Sequence, residues 1–334
     1  MLIDELIRDE KKNNKSLYSS GPYWDYKNSR AILEIQKKGI QDFRGLTAGI
    51  GTSFSDNEVL DVRNEYNIKG RIVGKIFSLP LLNIIFNSQL KLTKSYIHSY
   101  LLNKSLVYEN DRNVHDLLKK YKFENTTEFG CISSFKYLNK KYSCHYLEMA
   151  DRISKLSKQF NFNDISSLFE IGGGFGANIH FLITNFPNIK KILYLDVVPN
   201  IYVGTEYLRS FYKDNIKDYS DLKNLDAISF SKNNELEILC IPPWLIEKVD
   251  ANIDHFHNAA SFVEMPKNIV ENYVKFIRKF KTKEISLISY DRFDSNTTFN
   301  PEELNIFFNN ELKISWKNTL IEGYNRKLIY LTSK

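Results

Sequence analysis

At 334 residues and 43% hydrophobic content the chain can bury a sizeable core, and its length predicts two domains. A formal net charge of +6 is mild for this length, and the bases are spread along the sequence with acids interleaved, without the basic stripe of a nucleic-acid binder. Cys131, Cys144 and Cys240 are scattered with no CxxC pair, which argues against a disulfide framework or a structural zinc and for a reducing compartment.

The amino terminus, Met1-Leu-Ile-Asp-Glu5, carries acids where a signal peptide carries bases. The longest apolar patch, Ile76 to Phe86, is broken by Pro80 and too short to span a bilayer, so a soluble cytoplasmic protein is expected. Residues 1–160 read as a mostly helical domain. Ser29 to Lys38 has a capping candidate, apolar residues at helical spacing and Gly39 as a stop. Arg71 to Val107 reads as two packed helices broken near Pro80. Over Tyr142 to Phe160, Tyr146, Ala150, Ile153, Leu156 and Phe160 form one apolar stripe.

Residues 161–334 read differently. Short apolar runs alternate with helix-like segments, the pattern of a mostly parallel α/β sheet. The runs are Ile165–Ile171, Lys191–Asp196, Leu236–Ile241, Ile253–Asn258 and Ile285–Tyr290. A last pair, Leu312–Trp316 and Lys327–Thr332, flanks a turn-like stretch at Glu322-Gly323 and predicts an antiparallel closure.

The first run ends in Glu170-Ile-Gly-Gly-Gly-Phe-Gly176, which predicts a strand turning sharply into a helix over Ala177 to Asn185. Glycines permit the tight turn and a close ligand approach, and the helix aims unsatisfied N–H groups at whatever sits there. Read as Gly172-x-Gly174-x-x-Ala177, the segment fits the dinucleotide fingerprint. Glu170 argues against that, because a carboxylate two residues before the first glycine repels phosphate and attracts a cation. Asp196, about twenty positions after the turn, suits an acceptor for ribose hydroxyls; the alternative is a turn starter before Pro199.

Ligands of open α/β sheets lie beyond the carboxyl ends of the strands, which gathers Gly172 to Gly176, His257 to Glu264 and Tyr290 to Asp294. His255 and His257 share one face of their strand, and Asn258 points opposite. His257 is nearer the carboxyl end and suits a general base, with a satisfied core histidine as the alternative. Glu264 suits orienting a histidine, accepting a proton or binding a hydroxyl, against a solvated acid just before Pro266. Arg292 suits an anionic group on a substrate, against an ion pair with Asp291 or Asp294. The spacing of Asp291 and Asp294 is common by chance, so no metal is assigned.

Glu170-x-Gly172-x-Gly174-x-Gly176 resembles the first motif of S-adenosylmethionine-dependent methyltransferases, and the second half resembles a class I member along its whole length. Ile241-Pro-Pro243 and Phe256-His-Asn-Ala-Ala-Ser-Phe-Val-Glu-Met265, with its N-x-x-S-F-x-E-M string, are similar to the bacterial sugar O-methyltransferases. Tyr23-Trp24 with Asn28, Lys38-Gly-Ile-x-x-Phe-Arg44, Glu128-Phe-Gly130 and Tyr142-Ser143 resemble that family's first half more weakly. His257 departs from it, standing where an apolar residue is common, so a catalytic role there rests on the residue itself.

The resemblance implies a seven-stranded Rossmann-like methyltransferase sheet behind a helical N-terminal domain. It implies adenosylmethionine held by Glu170, Gly172, Gly174, Gly176 and Asp196, and methyl transfer to a hydroxyl of a surface polysaccharide or its nucleotide-sugar precursor. His257 and Glu264 are then the catalytic candidates, with Tyr142, His145, Tyr290 and Arg292 around the acceptor. Ile241-Pro-Pro-Trp244 also looks like the Pro-Pro-aromatic motif of base N-methyltransferases, but Ile241 offers no acceptor; Trp244 either stacks on adenine or packs the sheet edge. The rival enzyme is an NAD-dependent sugar epimerase or dehydrogenase, which Glu170, the mid-chain position of the glycine turn and the lack of an evident Tyr-x-x-x-Lys pair after the fourth strand disfavour. A methyltransferase-like RNA-binding module ranks third, and homo-oligomerisation stays open.

Overall fold

The computed structural model describes residues 2–13, 17–45, 114–131, 134–137, 139–290, 298–317 and 328–333. The chain forms two compact units. One comprises Met1–Asn28, Lys155–Asn318 and Lys327–Lys334; the other comprises Ser29–Ser154 and Thr319–Arg326. This division differs from a single cut at residue 160, because the first residues join the α/β half.

Helix α1 (Leu2–Asn13) shows why. It carries Asp4 and Glu5 in its first turn and Lys11 and Lys12 in its last, matching the helix dipole, and it buries Ile3 and Leu6. Its polar side meets the α/β unit: Ser220 Oγ donates to Glu5 at 2.9 Å, Tyr219 donates to Asp9 at 3.2 Å, and Lys223 pairs with Glu5. Helix α2 (Pro22–Lys38) begins at Pro22, well before the predicted cap at Ser29. Proline suits a first helical position, where its missing N–H has no intrahelical partner anyway.

In the second unit, α3 (Val114–Lys120) precedes a hairpin of β1 (Phe135–Tyr137) and β2 (Lys140–Tyr142), then α4 (Cys144–Leu156). The hairpin interrupts what the sequence reads as mainly helix, and α4 stops short of Phe160. The helices expected over Arg71 to Val107 lie outside the described residues. Arg44, fully buried, donates to Thr126 O at 2.8 Å and Ser143 Oγ at 2.6 Å, and sits over the Tyr146 ring. Its own N–H donates to Gly130 O at 3.0 Å, and a side chain on Gly130 would strike the Phe43 ring at 2.2 Å. Three sequence segments that resemble one family separately are therefore one packed cluster.

The other unit is built on β3 (Ser167–Ile171), α5 (Ala177–Asn185), β4 (Lys191–Leu195), α6 (Asn200–Tyr212), β5 (Ile216–Lys217), α7 (Tyr219–Leu222) and β6 (Glu237–Ile241). It continues through β7 (His255–Ala259), α8 (Ser261–Glu264), α9 (Lys267–Lys279), β8 (Glu284–Tyr290), α10 (Leu304–Phe307), β9 (Leu312–Lys317) and β10 (Leu328–Ser333). The strand order is β5-β6-β4-β3-β7-β8-β10-β9. All neighbours are parallel except β10, which runs antiparallel to both β8 and β9. This is a doubly wound, Rossmann-like sheet of eight strands among the described residues, one more than the seven expected; the extra strand is two-residue β5 at its edge. Every residue of β3 is buried, as a central parallel strand covered on both faces requires. Connections leave β3 towards β4 on one side while β7 lies on the other, so strand order reverses at the carboxyl end of β3.

No helix among the described residues is long and apolar enough to cross a membrane.

Candidate functional site

The backbone leaves β3 through Gly172, at φ +71°, a region that side chains other than glycine's rarely adopt. A Cβ there would sit 2.2 Å from Ser261 Oγ, so both conformation and space demand glycine. Two residues later the N–H of Gly174 donates to Asp196 Oδ2 at 2.8 Å, and Val197 N–H donates to Oδ1 at 2.7 Å. Tyr194 adds a hydrogen bond to Gly174 O. The end of β4 thus holds the turn that follows β3. Helix α5 starts at Ala177 with no side-chain cap, and its first N–H groups point back towards the turn.

Two carboxylates flank this turn. Glu170 is 2% exposed, and Asn178 from the first turn of α5 donates to its Oε1 at 3.0 Å. Asp196 is 4% exposed. Burial pushes its carboxyl up to about 7, against the pull of the Val197 and Gly174 N–H groups and the Asn200 side chain. Both acids accept hydrogen bonds from the elements around the turn.

The string after β7 builds a second wall. Asn258 Nδ2 donates to Ile171 O at 2.9 Å and Ser261 Oγ at 2.6 Å, while its Oδ1 accepts from Phe262 N–H at 3.2 Å. It ties the end of β3 to the start of α8. The chain turns through Ala260 at φ +67°, a conformation that costs an alanine roughly 1–3 kcal/mol and needs the surrounding bonds to persist. Phe262 enters the core beside Phe256 at 5.7 Å. Glu264, 6% exposed, accepts from Tyr290 OH at 2.9 Å and from Trp24 Nε1 at 3.0 Å. It is a buried, oriented carboxylate, not a solvated acid.

Trp24 is the site residue that sequence reasoning missed. Its only signal is the Tyr23-Trp24 resemblance; no spacing links it to a carboxylate so far along the chain. The two histidines lie on one face of β7 as expected. His257 Nδ1 and His255 Nε2 each meet Ser286 Oγ at 2.8 Å. Glu264 is therefore held by Trp24 and Tyr290, and His257 by Ser286. Trp244 meets Tyr219 edge-on at 5.8 Å, the sheet-edge packing that was one of its two readings.

Among the other expected residues, Tyr290 is brought to Glu264. Tyr142 is buried at the end of β2 with its ring edge-on to Phe123, and His145 opens α4 with its ring edge-on to Tyr146. Both belong to the second unit. Arg292, Asp291 and Asp294 lie outside the described residues.

No protein-family model matches the chain, and no curated protein matches it. Solved structures resemble it in fold. The pyocyanin biosynthetic protein PhzM matches at 11% identity over 57% of this chain and 57% of its own, with a TM-score of 0.38. Magnesium protoporphyrin IX methyltransferase (ChlM) from Synechocystis PCC 6803, solved with bound SAM, matches at 10% identity over 57% of this chain and 80% of its own, with a TM-score of 0.37. The mitomycin 7-O-methyltransferase MmcR matches at 9% identity over 80% of this chain and 76% of its own, with a TM-score of 0.36.

Proposed function

We propose that the α/β unit binds S-adenosylmethionine and transfers its methyl group to a hydroxyl, that of a sugar in a surface polysaccharide or its nucleotide-linked precursor. One observation carries the cofactor: a buried carboxylate, Glu170, stands at the mouth of the strand that runs into the glycine turn. A cationic sulfonium and ammonium suit that place, and a pyrophosphate does not. The cradle fits as well, since a side chain on Gly172 would meet Ser261 and one on Gly173 would reach within 3.0 Å of the Glu170 carboxyl. When bound, the cofactor supplies a methyl group already activated for in-line displacement.

The chain's own groups then divide the work. Glu170 and the turn's backbone hold the cationic end, and Asp196 accepts from the ribose hydroxyls. Glu264 takes the proton from the acceptor hydroxyl, and Trp24 and Tyr290 fix its direction. His257 is the second candidate for that proton. The sugar as acceptor rests on the N-x-x-S-F-x-E-M resemblance, and acceptor contacts by Tyr142, His145, Tyr290 and Arg292 belong to the same proposal.

Glu170→Ala and Asp196→Ala should each abolish adenosylmethionine binding in titration calorimetry; affinity retained in both refutes the cofactor. Glu264→Gln should cut turnover about 10²–10⁴-fold with cofactor affinity unchanged, the range expected of a lost general base. Undiminished turnover would move the base elsewhere.

A further inference from the structure

The face of β7 that carries His255 and His257 holds a line of polar groups. Strands β7 and β8 pair in parallel with His255 opposite Glu284 and His257 opposite Ser286. His255 Nδ1 lies 3.3 Å from Glu284 Oε2, and its Nε2 lies 2.8 Å from Ser286 Oγ. The same serine oxygen lies 2.8 Å from His257 Nδ1. The Glu284 side chain is 39% exposed while both histidines and Ser286 are buried, so the line runs from solvent into the sheet. On its other side His257 stands opposite Glu170.

Counting protons along this line settles its direction. An ionised carboxylate only accepts, so His255 presents N–H at Nδ1 to Glu284. Burial holds the His255 imidazole below the usual histidine range, against the pull of Glu284, which leaves its Nε2 a bare acceptor. Ser286 has one hydroxyl proton, and the neutral ring of His255 needs it. A longer contact from that hydroxyl to Phe256 O, at 3.4 Å, competes poorly with the two shorter ones. The serine oxygen must then accept from His257, so Nδ1 of His257 is the protonated nitrogen.

We propose that Glu284, His255 and Ser286 are positioning residues that hold His257 in its Nδ1–H tautomer, with the lone pair on Nε2 at the sheet level of Glu170. The tautomer of a histidine is set by the bond its other nitrogen makes, and here that bond is imposed from the sheet edge inward. An acceptor at Nε2 is the state a general base requires, so the inference deepens the proposed reading of this site. It is tested without cofactor, so its failure and the failure of that reading are separate results.

The experiment uses the full chain labelled with ¹⁵N-histidine, with long-range ¹H–¹⁵N correlation spectra recorded near neutral pH and signals assigned by His255→Asn and His257→Asn. Both His255 and His257 should show the Nδ1–H pattern. Ser286→Ala should release His257 to the Nε2–H form while His255 keeps its pattern. Glu284→Gln, at the exposed end, keeps the proposal open to refutation if the serine variant does not fold: an amide donates as well as accepts, so both rings should lose their single tautomer. Finding His257 as the Nε2–H form or as imidazolium in the unaltered protein overturns the proposal, as does a His257 pattern that neither variant changes.

Discussion

Asp196 ties the glycine turn to the end of β4 through two backbone N–H groups, yet burial keeps its carboxyl protonated up to about 7. Because the folded value lies above the ordinary 3.8, the linked stability is complete below about pH 4 and is lost as pH rises through about 7. The lost term is roughly 4 kcal/mol at most. Denaturant unfolding should therefore weaken between about pH 4 and about pH 7, and Asp196→Asn should flatten that slope. A ligand whose hydroxyls donate to this group favours the ionised form. Adenosylmethionine binding just below pH 7 should release a proton, detected by calorimetry in buffers of different ionisation enthalpy; no proton release would separate Asp196 from the ligand. At this scale the positions of Glu170 and Asp196 beside the glycine turn were legible, because each stands at the end of an apolar run. Ala260 was not, since nothing about an alanine announces φ +67°.

Among elements, the turn between β3 and α5 was the most legible, and the helix predicted over Ala177 to Asn185 matches its observed span. Its glycines are required twice over at Gly172, by conformation and by Ser261. Gly172→Ala should destabilise by about 2–6 kcal/mol, the sum of a left-handed backbone and an overpacked contact. Ser261→Gly in that background should recover the contact part and leave the backbone part, measured by chemical denaturation as a double-mutant cycle. Full additivity would show that the two residues do not collide. The central strands were legible through their apolar runs. The β1–β2 hairpin was not, because Phe135 to Tyr142 is rich in lysine and turns through Asn139 without apolar alternation. Two-residue β5 is too short to carry any period.

For the whole molecule, the sequence pattern does not say how the chain shares itself between the two units. Docking of the first residues onto the α/β unit is long-range: Tyr18 donates to Glu247, and Trp24 reaches Glu264 across 240 positions. No local pattern encodes such pairs. They separate two roles for the same segment, which mutation can tell apart. Leu6 is buried in α1, so Leu6→Ala should lower stability by about 2–5 kcal/mol and leave turnover per folded molecule unchanged. Trp24→Phe keeps the ring but removes a donor to a charged group, a loss of about 1.5–3 kcal/mol at the carboxylate it orients. Turnover should then fall roughly 10- to 100-fold with cofactor affinity intact. If Trp24→Phe instead behaves like Leu6→Ala, lowering stability alone, the N-terminal segment is a brace for the fold and Glu264 takes its direction from Tyr290.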